Sequence, residues 1–163
     1  MKEYTLWACL LASAFLGACS DEDDAKDAEP PRIVENEAGS GNPSNPIDCQ
    51  VYHLGDTIYF NYEFTDNQEL GNFSLNIHHN FDHHNHPNMN VTCQLDPTKK
   101  ANANVWVFNQ NYPIPQGLKV YDAKESIAIP RDIQTGDYHF MIVLTDKTGW
   151  QAPQRGISIK IIE

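Results

Sequence analysis

The sequence is short of basic residues: Lys and Arg total 11 against 22 Asp and Glu, for a formal net charge of −11. A nucleic-acid binder needs a basic face to neutralise phosphates, so that class is excluded. Long apolar runs are lacking too. Residues 4–16 (YTLWACLLASAFL) come nearest and fall short of the roughly 20 apolar residues that span a bilayer as a helix. No glycine-rich phosphate loop, no nucleophile elbow and no helical period of adequate length can be found. What remains is 163 residues, 40% apolar and 20% charged, enough for one globular domain with a tail.

The short apolar run follows a single Lys2 and fits the hydrophobic region of a secretory signal peptide. It ends in Leu16-Gly17-Ala18-Cys19, which looks like a bacterial lipobox, where the Cys is lipidated and becomes the new N-terminus. The acidic run Ser20-Asp21-Glu22-Asp23-Asp24 resembles the surface-export signal of Bacteroidetes lipoproteins. The expected layout is a signal peptide over 1–18, an acidic tether over 19–29 and a domain over 30–163. The expected location is the outer membrane, lipid-anchored and surface-exposed. Residues 19–46 carry eight acids and two bases, and residues 47–163 carry thirteen and eight. The acidity is therefore expected to serve reach and sorting more than binding.

Beyond Pro30-Pro31 the hydrophobic pattern has a period of two. Ile58, Phe60, Tyr62 and Phe64 share one face of residues 56–65, and Phe73, Leu75 and Ile77 share one face of 72–79. Tyr138, Phe140, Ile142 and Leu144 do so in 136–146, and Ile157, Ile159 and Ile161 in 156–162. Such alternation marks half-buried antiparallel strands. Further strands are expected at 31–35, 49–53, 104–109 and 124–130. Together they predict an all-β, immunoglobulin-like antiparallel β-sandwich, with a tyrosine corner at Tyr138 and a turn over Thr145–Trp150.

Five of the seven His fall within residues 78–86: His78, His79, His83, His84 and His86. Neutral imidazole is the commonest ligand for Zn²⁺ and Cu²⁺, and Asp82 adds a carboxylate. His84 and His86 are two apart, which puts both rings on one side of an extended segment. In an immunoglobulin-like sheet the strands over 72–79 and 136–146 are antiparallel neighbours. His78 and His139 then face outward as a cross-strand pair, with Cβ atoms about 5 Å apart. The expected ligands are His78, His83, His86 and His139, with Asp82 as ligand or orienter and His84 close by. His79 is the weakest candidate because alternation turns it toward the core. Binding is expected to fade below about pH 6, where ordinary imidazoles take up protons.

The segment 80–103 shows no strand pattern and is long for a connection, which marks it as functional or disordered. Cys49 and Cys93 are expected to pair in an oxidising compartment, pinning the far end of this loop.

Gly55-Asp56-Thr57-Ile58, Phe64 to Gly71, Ile77 to His84, Gly136 to Phe140 and Leu144 to Lys147, in that order, resemble Bacteroidetes lipoproteins of the domain of unknown function 4625 family. The resemblance implies a β-sandwich lipoprotein with no established activity. It joins His78, His79, Asp82, His83 and His139 in one pattern, with His84 and His86 following. The expected role is to bind Zn²⁺ or Cu²⁺ without catalysis, in capture or delivery to an outer-membrane transporter. The alternative is an adhesion module for a glycan or protein surface ligand, with no metal.

Overall fold

A computed structural model describes residues 26–35, 45–89 and 92–163. The expected signal peptide, Cys19 and the first part of the tether lie outside the described residues.

Two sheets pack face to face. Strands β1 (Arg32–Glu35), β3 (Thr57–Thr65) and β6 (Val120–Ala128) form one, in the order β1-β3-β6. Strands β2 (Gln50–His53), β4 (Leu70–His79), β5 (Phe108–Pro113), β7 (Gly136–Asp146) and β8 (Arg155–Ile162) form the other, in the order β2-β8-β7-β4-β5. No helix occurs among the described residues. The fold is an all-β sandwich, and β4 beside β7 beside β8 is the neighbour relation expected of an immunoglobulin-like sheet. One pair departs from the antiparallel expectation: β2 runs parallel to β8.

Alternation explains the core. Phe60, Tyr62 and Phe64 of β3 meet Phe73, Leu75 and Ile77 of β4 and Tyr138, Phe140, Ile142 and Leu144 of β7, all buried. Phe60 stacks on Phe73 at 5.7 Å and Phe73 on Tyr112 at 4.7 Å between centroids. Burying each such side chain stabilises by roughly 1.5–3 kcal/mol. Tyr138 forms the expected corner, donating to the Gln134 carbonyl at 2.5 Å.

Two expected strands are shifted. The run Val105 to Phe108 does not form a strand over 104–109. A turn closes from Val105 N–H to the Asn102 carbonyl at 3.2 Å, Trp106 buries beneath the loop, and β5 starts only at Phe108. Of that run only Trp106 is buried, and Val107 is exposed, so the apolar stretch supplies no buried strand face. β6 begins at Val120 and not at 124; only Ala123 and Ile127 of it are fully buried, with Tyr121 half-buried against the core, so its alternation is faint.

The segment between β4 and β5 is ordered over its described residues. Cys49 and Cys93 form a disulfide, with Cα atoms 5.3 Å apart. Asp96 N–H donates to Asp137 Oδ2 at 2.7 Å, and Lys160 Nζ bridges Asp96 at 2.8 Å and Asp137 at 3.4 Å. Gly136 takes a positive φ of 134°, and a Cβ there would stand 2.8 Å from Phe81, so the loop closes onto the start of β7 only over a glycine. This long loop covers the outer face of β7, which is why Asp137, His139 and Met141 are buried although they point away from the core.

Candidate metal centre

β4 and β7 pair with His78 directly opposite His139. Both rings lie on the outer face, and His139 is only 2% exposed because the loop folds over it. The turn after β4 closes with His83 N–H donating to the Asn80 carbonyl at 3.2 Å. His83 itself sits at φ 59°, a left-handed conformation uncommon outside glycine. That residue reverses the facing of the chain. His83 is sent away to the Asp96 carbonyl, 2.9 Å from its Nε2, and His84 and His86 turn in over the His78–His139 pair.

The result is a cluster of His78, His84, His86 and His139, each offering a ring nitrogen within 4.8 Å of the others. The ring centroids are 5.3, 5.0 and 5.5 Å from His78 to His84, His86 and His139, respectively. They are 5.1 Å for His84–His86, 5.1 Å for His84–His139 and 5.0 Å for His86–His139. Six nearly equal edges describe a regular tetrahedron of imidazoles. Its centre lies about 3.2 Å from each centroid, so a ring that aims a nitrogen at the centre would place it about 2.1 Å away, the length of a Zn–N bond.

Neighbouring groups orient the rings. Asn76 Oδ1 lies 2.5 Å from His78 Nδ1. A carboxamide oxygen only accepts, so the proton sits on Nδ1 and the Nε2 lone pair points into the cluster. Asp82 Oδ1 does the same for His84 Nδ1 at 2.6 Å, and that bond holds the exposed Asp82 carboxyl below its usual range. His78 Nε2 and His86 Nε2 stand 2.9 Å apart. His139 Nδ1 is buried and has no hydrogen-bond partner.

Burial, and then repulsion from the other rings, pushes His78 down to about 4 and His139 down to about 3. Burial, and then His84, also lowers His86. At neutral pH these rings are uncharged, the form that coordinates. Proton competition at His78 and His139 is thus displaced below the pH 6 expected from ordinary imidazoles.

Two of the expected residues lie outside the cluster. His83, expected as a ligand, is half-buried against the Asp96 carbonyl, and His84 stands in the cluster instead. His79 stacks on Phe81 at 4.9 Å and stays outside the cluster. Asp82 reaches the site only through His84. Asn76 was not foreseen, although its two-residue spacing from His78 puts both on one strand face. A second group, Asp27, Asp66 and Asp146, also brings carboxylate oxygens within 4.8 Å of one another. Asp27, expected in a solvated tether, is buried.

A family model described as a domain of unknown function (DUF4625) matches residues 17–162. The chain belongs to that family. No curated protein matches this DUF4625 chain. Among solved structures, it is similar to a mutant of the SrpA adhesin from Streptococcus sanguinis at 17% identity, with a TM-score of 0.40. The match covers 83% of this DUF4625 chain and 57% of that chain, so the chain spans little more than half of the adhesin structure's length.

Proposed function

We propose that the protein is an outer-membrane lipoprotein, anchored through Cys19 and facing the cell surface, that holds Zn²⁺ at His78, His84, His86 and His139. The ion is captured or handed on, with an outer-membrane transporter as the partner that the location suggests. The observation that carries the metal reading is the tetrahedron of four imidazoles with edges of 5.0–5.5 Å. Tetrahedral nitrogen ligation favours Zn²⁺ over Cu²⁺, which prefers tetragonal geometry, so Cu²⁺ is the competitor and not the first choice. Four protein ligands fill a zinc sphere and leave no position for water or substrate, which favours holding over catalysis. The disulfide and the Asp96–Asp137–Lys160 links support a preformed site, because they fix the loop that supplies His84 and His86.

Calorimetric titration of the purified, chelator-treated protein with Zn²⁺ near neutral pH tests the metal reading. One ion per chain, bound more tightly than about 10 μM, is expected. Absence of such uptake, or uptake unchanged by His78→Ala with His139→Ala, overturns it. Membrane fractionation of cells expressing Cys19→Ala, where the protein should leave the membrane, tests the anchor.

A further inference from the structure

The opposite end of the β4–β7 ladder carries three acids from distant parts of the chain. Asp27 precedes β1, Asp66 lies in the turn between β3 and β4, and Asp146 ends β7 opposite Leu70. Each uses one oxygen locally. Asp146 Oδ1 accepts from Thr148 N–H at 2.8 Å, Thr148 Oγ1 at 3.0 Å, Gly149 N–H at 2.7 Å and Trp150 N–H at 2.9 Å. Asp66 Oδ1 accepts from the N–H groups of Gln68 at 2.7 Å and Glu69 at 2.8 Å, and Asp27 Oδ1 from that of Glu29 at 3.2 Å. The other oxygen of each, Oδ2, is buried and accepts nothing among the described residues. Asp27 is 4% and Asp146 3% exposed.

Turn formation accounts for the bonded oxygens and leaves the others unexplained. A buried polar atom without a partner is costly, more so when charged, and each of these three clustered carboxylates leaves one. Among the described residues no Lys, Arg or His pairs with any of the three. Oxygens sharing one Ca²⁺ at bond lengths of 2.3–2.6 Å can be up to about 5 Å apart. The three carboxylates, within 4.8 Å of one another, meet that requirement.

We infer that Asp27, Asp66 and Asp146 form a second metal site, for a hard divalent cation of the Ca²⁺ class, which staples the incoming N-terminal segment to the end of the sandwich. Mg²⁺ suits it less, because that ion keeps several waters and is usually held by one or two carboxylates. Trp150 Nε1 donates to the Asp27 carbonyl at 3.2 Å, so the segment is already laid across the turn that Asp146 organises. Backbone carbonyls and water complete the sphere, as hard cations allow.

Equilibrium dialysis of the purified full chain with radioactive calcium, after treatment with a chelator, tests the site. One ion per chain is expected, with a Kd below about 1 mM, together with a melting temperature raised by about 3 °C or more in about 5 mM Ca²⁺. Asp66→Asn and Asp27→Asn should each weaken calcium binding at least about tenfold while preserving the oxygen that caps the local turn. Asp146→Asn is less suitable, since its carboxylate organises a whole turn. No calcium uptake, or uptake unchanged in both variants, overturns the inference. The result is independent of the zinc reading: calcium uptake should persist in His78→Ala with His139→Ala, and its loss there would overturn a separate site.

Discussion

The two ends of the β4–β7 ladder gather donor groups of different chemistry. At one end His78 faces His139 and a long loop lowers two more imidazoles onto them. At the other, roughly 25 Å away along the strands, short turns present Asp66 and Asp146, and the N-terminal segment adds Asp27. Nitrogen donors in a tetrahedron suit a borderline ion such as Zn²⁺, and carboxylate oxygens suit Ca²⁺. The supports differ as well. The His end depends on a loop that must be pinned from far away, whereas each Asp at the other end is set mostly by its own turn. Chemistry and mechanical support should therefore separate under mutation.

The largest effect is expected from removing the pin. Cys49 and Cys93 are separated by 44 residues, and closing such a loop stabilises by about 4 kcal/mol on the chain-entropy estimate. Cys49→Ala with Cys93→Ala should lower the free energy of unfolding by up to that amount in urea titrations. In the protein that remains folded, zinc affinity should fall and calcium affinity should not. Equal losses at both ends would show that the contrast in support is mistaken.

Next in size is the exchange of ligands between the ends. His78→Ala with His139→Ala should weaken zinc binding about 100-fold or more, since it removes the two donors held on rigid strands. Calorimetry on that variant and on Asp66→Asn should give opposite patterns, one blind to zinc and the other to calcium. A variant that loses both responses would point to a global defect.

These contrasts also mark what the sequence can convey. His78 opposite His139 was legible because strand parity and strand order are both properties of alternation. The pairing of His84 with His86 was legible for the same reason. The choice of His84 over His83 was not, because it turns on one left-handed residue at φ 59° that no periodicity encodes. The Asp cluster was less legible still. Asp146 reads as a turn residue whether or not its second oxygen is satisfied, and Asp27 lies far away in a segment whose composition suggests a solvated tether. The sandwich was readable wherever one face is buried. It blurred at Val105 to Phe108, an apolar run of which only Trp106 is buried.

Smaller effects belong to the groups that aim the rings. Asn76→Ala removes the acceptor that fixes the His78 proton on Nδ1, and Asp82→Asn removes the carboxylate from His84. Groups that orient metal-bound imidazoles typically carry 10–100-fold in affinity. About tenfold weaker zinc binding is expected for each variant, at the low end for Asp82, which is exposed. Calorimetric titration distinguishes this from a change in stability, because the calcium response at the far end should stay constant. If the zinc affinity of both variants matches the parent, the rings are positioned by packing alone.

The most diagnostic effect concerns acid. In the metal-free protein His78 is lowered to about 4 and His139 to about 3, mainly by burial, while the same residues in an unfolded chain titrate near 6.5. Above about pH 6.5 both states leave these rings neutral and they contribute no pH dependence. As pH falls below that value the unfolded chain takes up protons that the folded chain refuses, so stability declines down to the folded values near 4 and 3. Urea midpoints in a chelator should drop steadily from about pH 6.5 to about pH 4.5 in the parent. In His78→Ala with His139→Ala that slope should be shallower, because the refused protons are gone. Parallel slopes would mean that the two rings are already hydrated in the folded protein. The His end would then be an open patch, and the tetrahedron would form only around an ion.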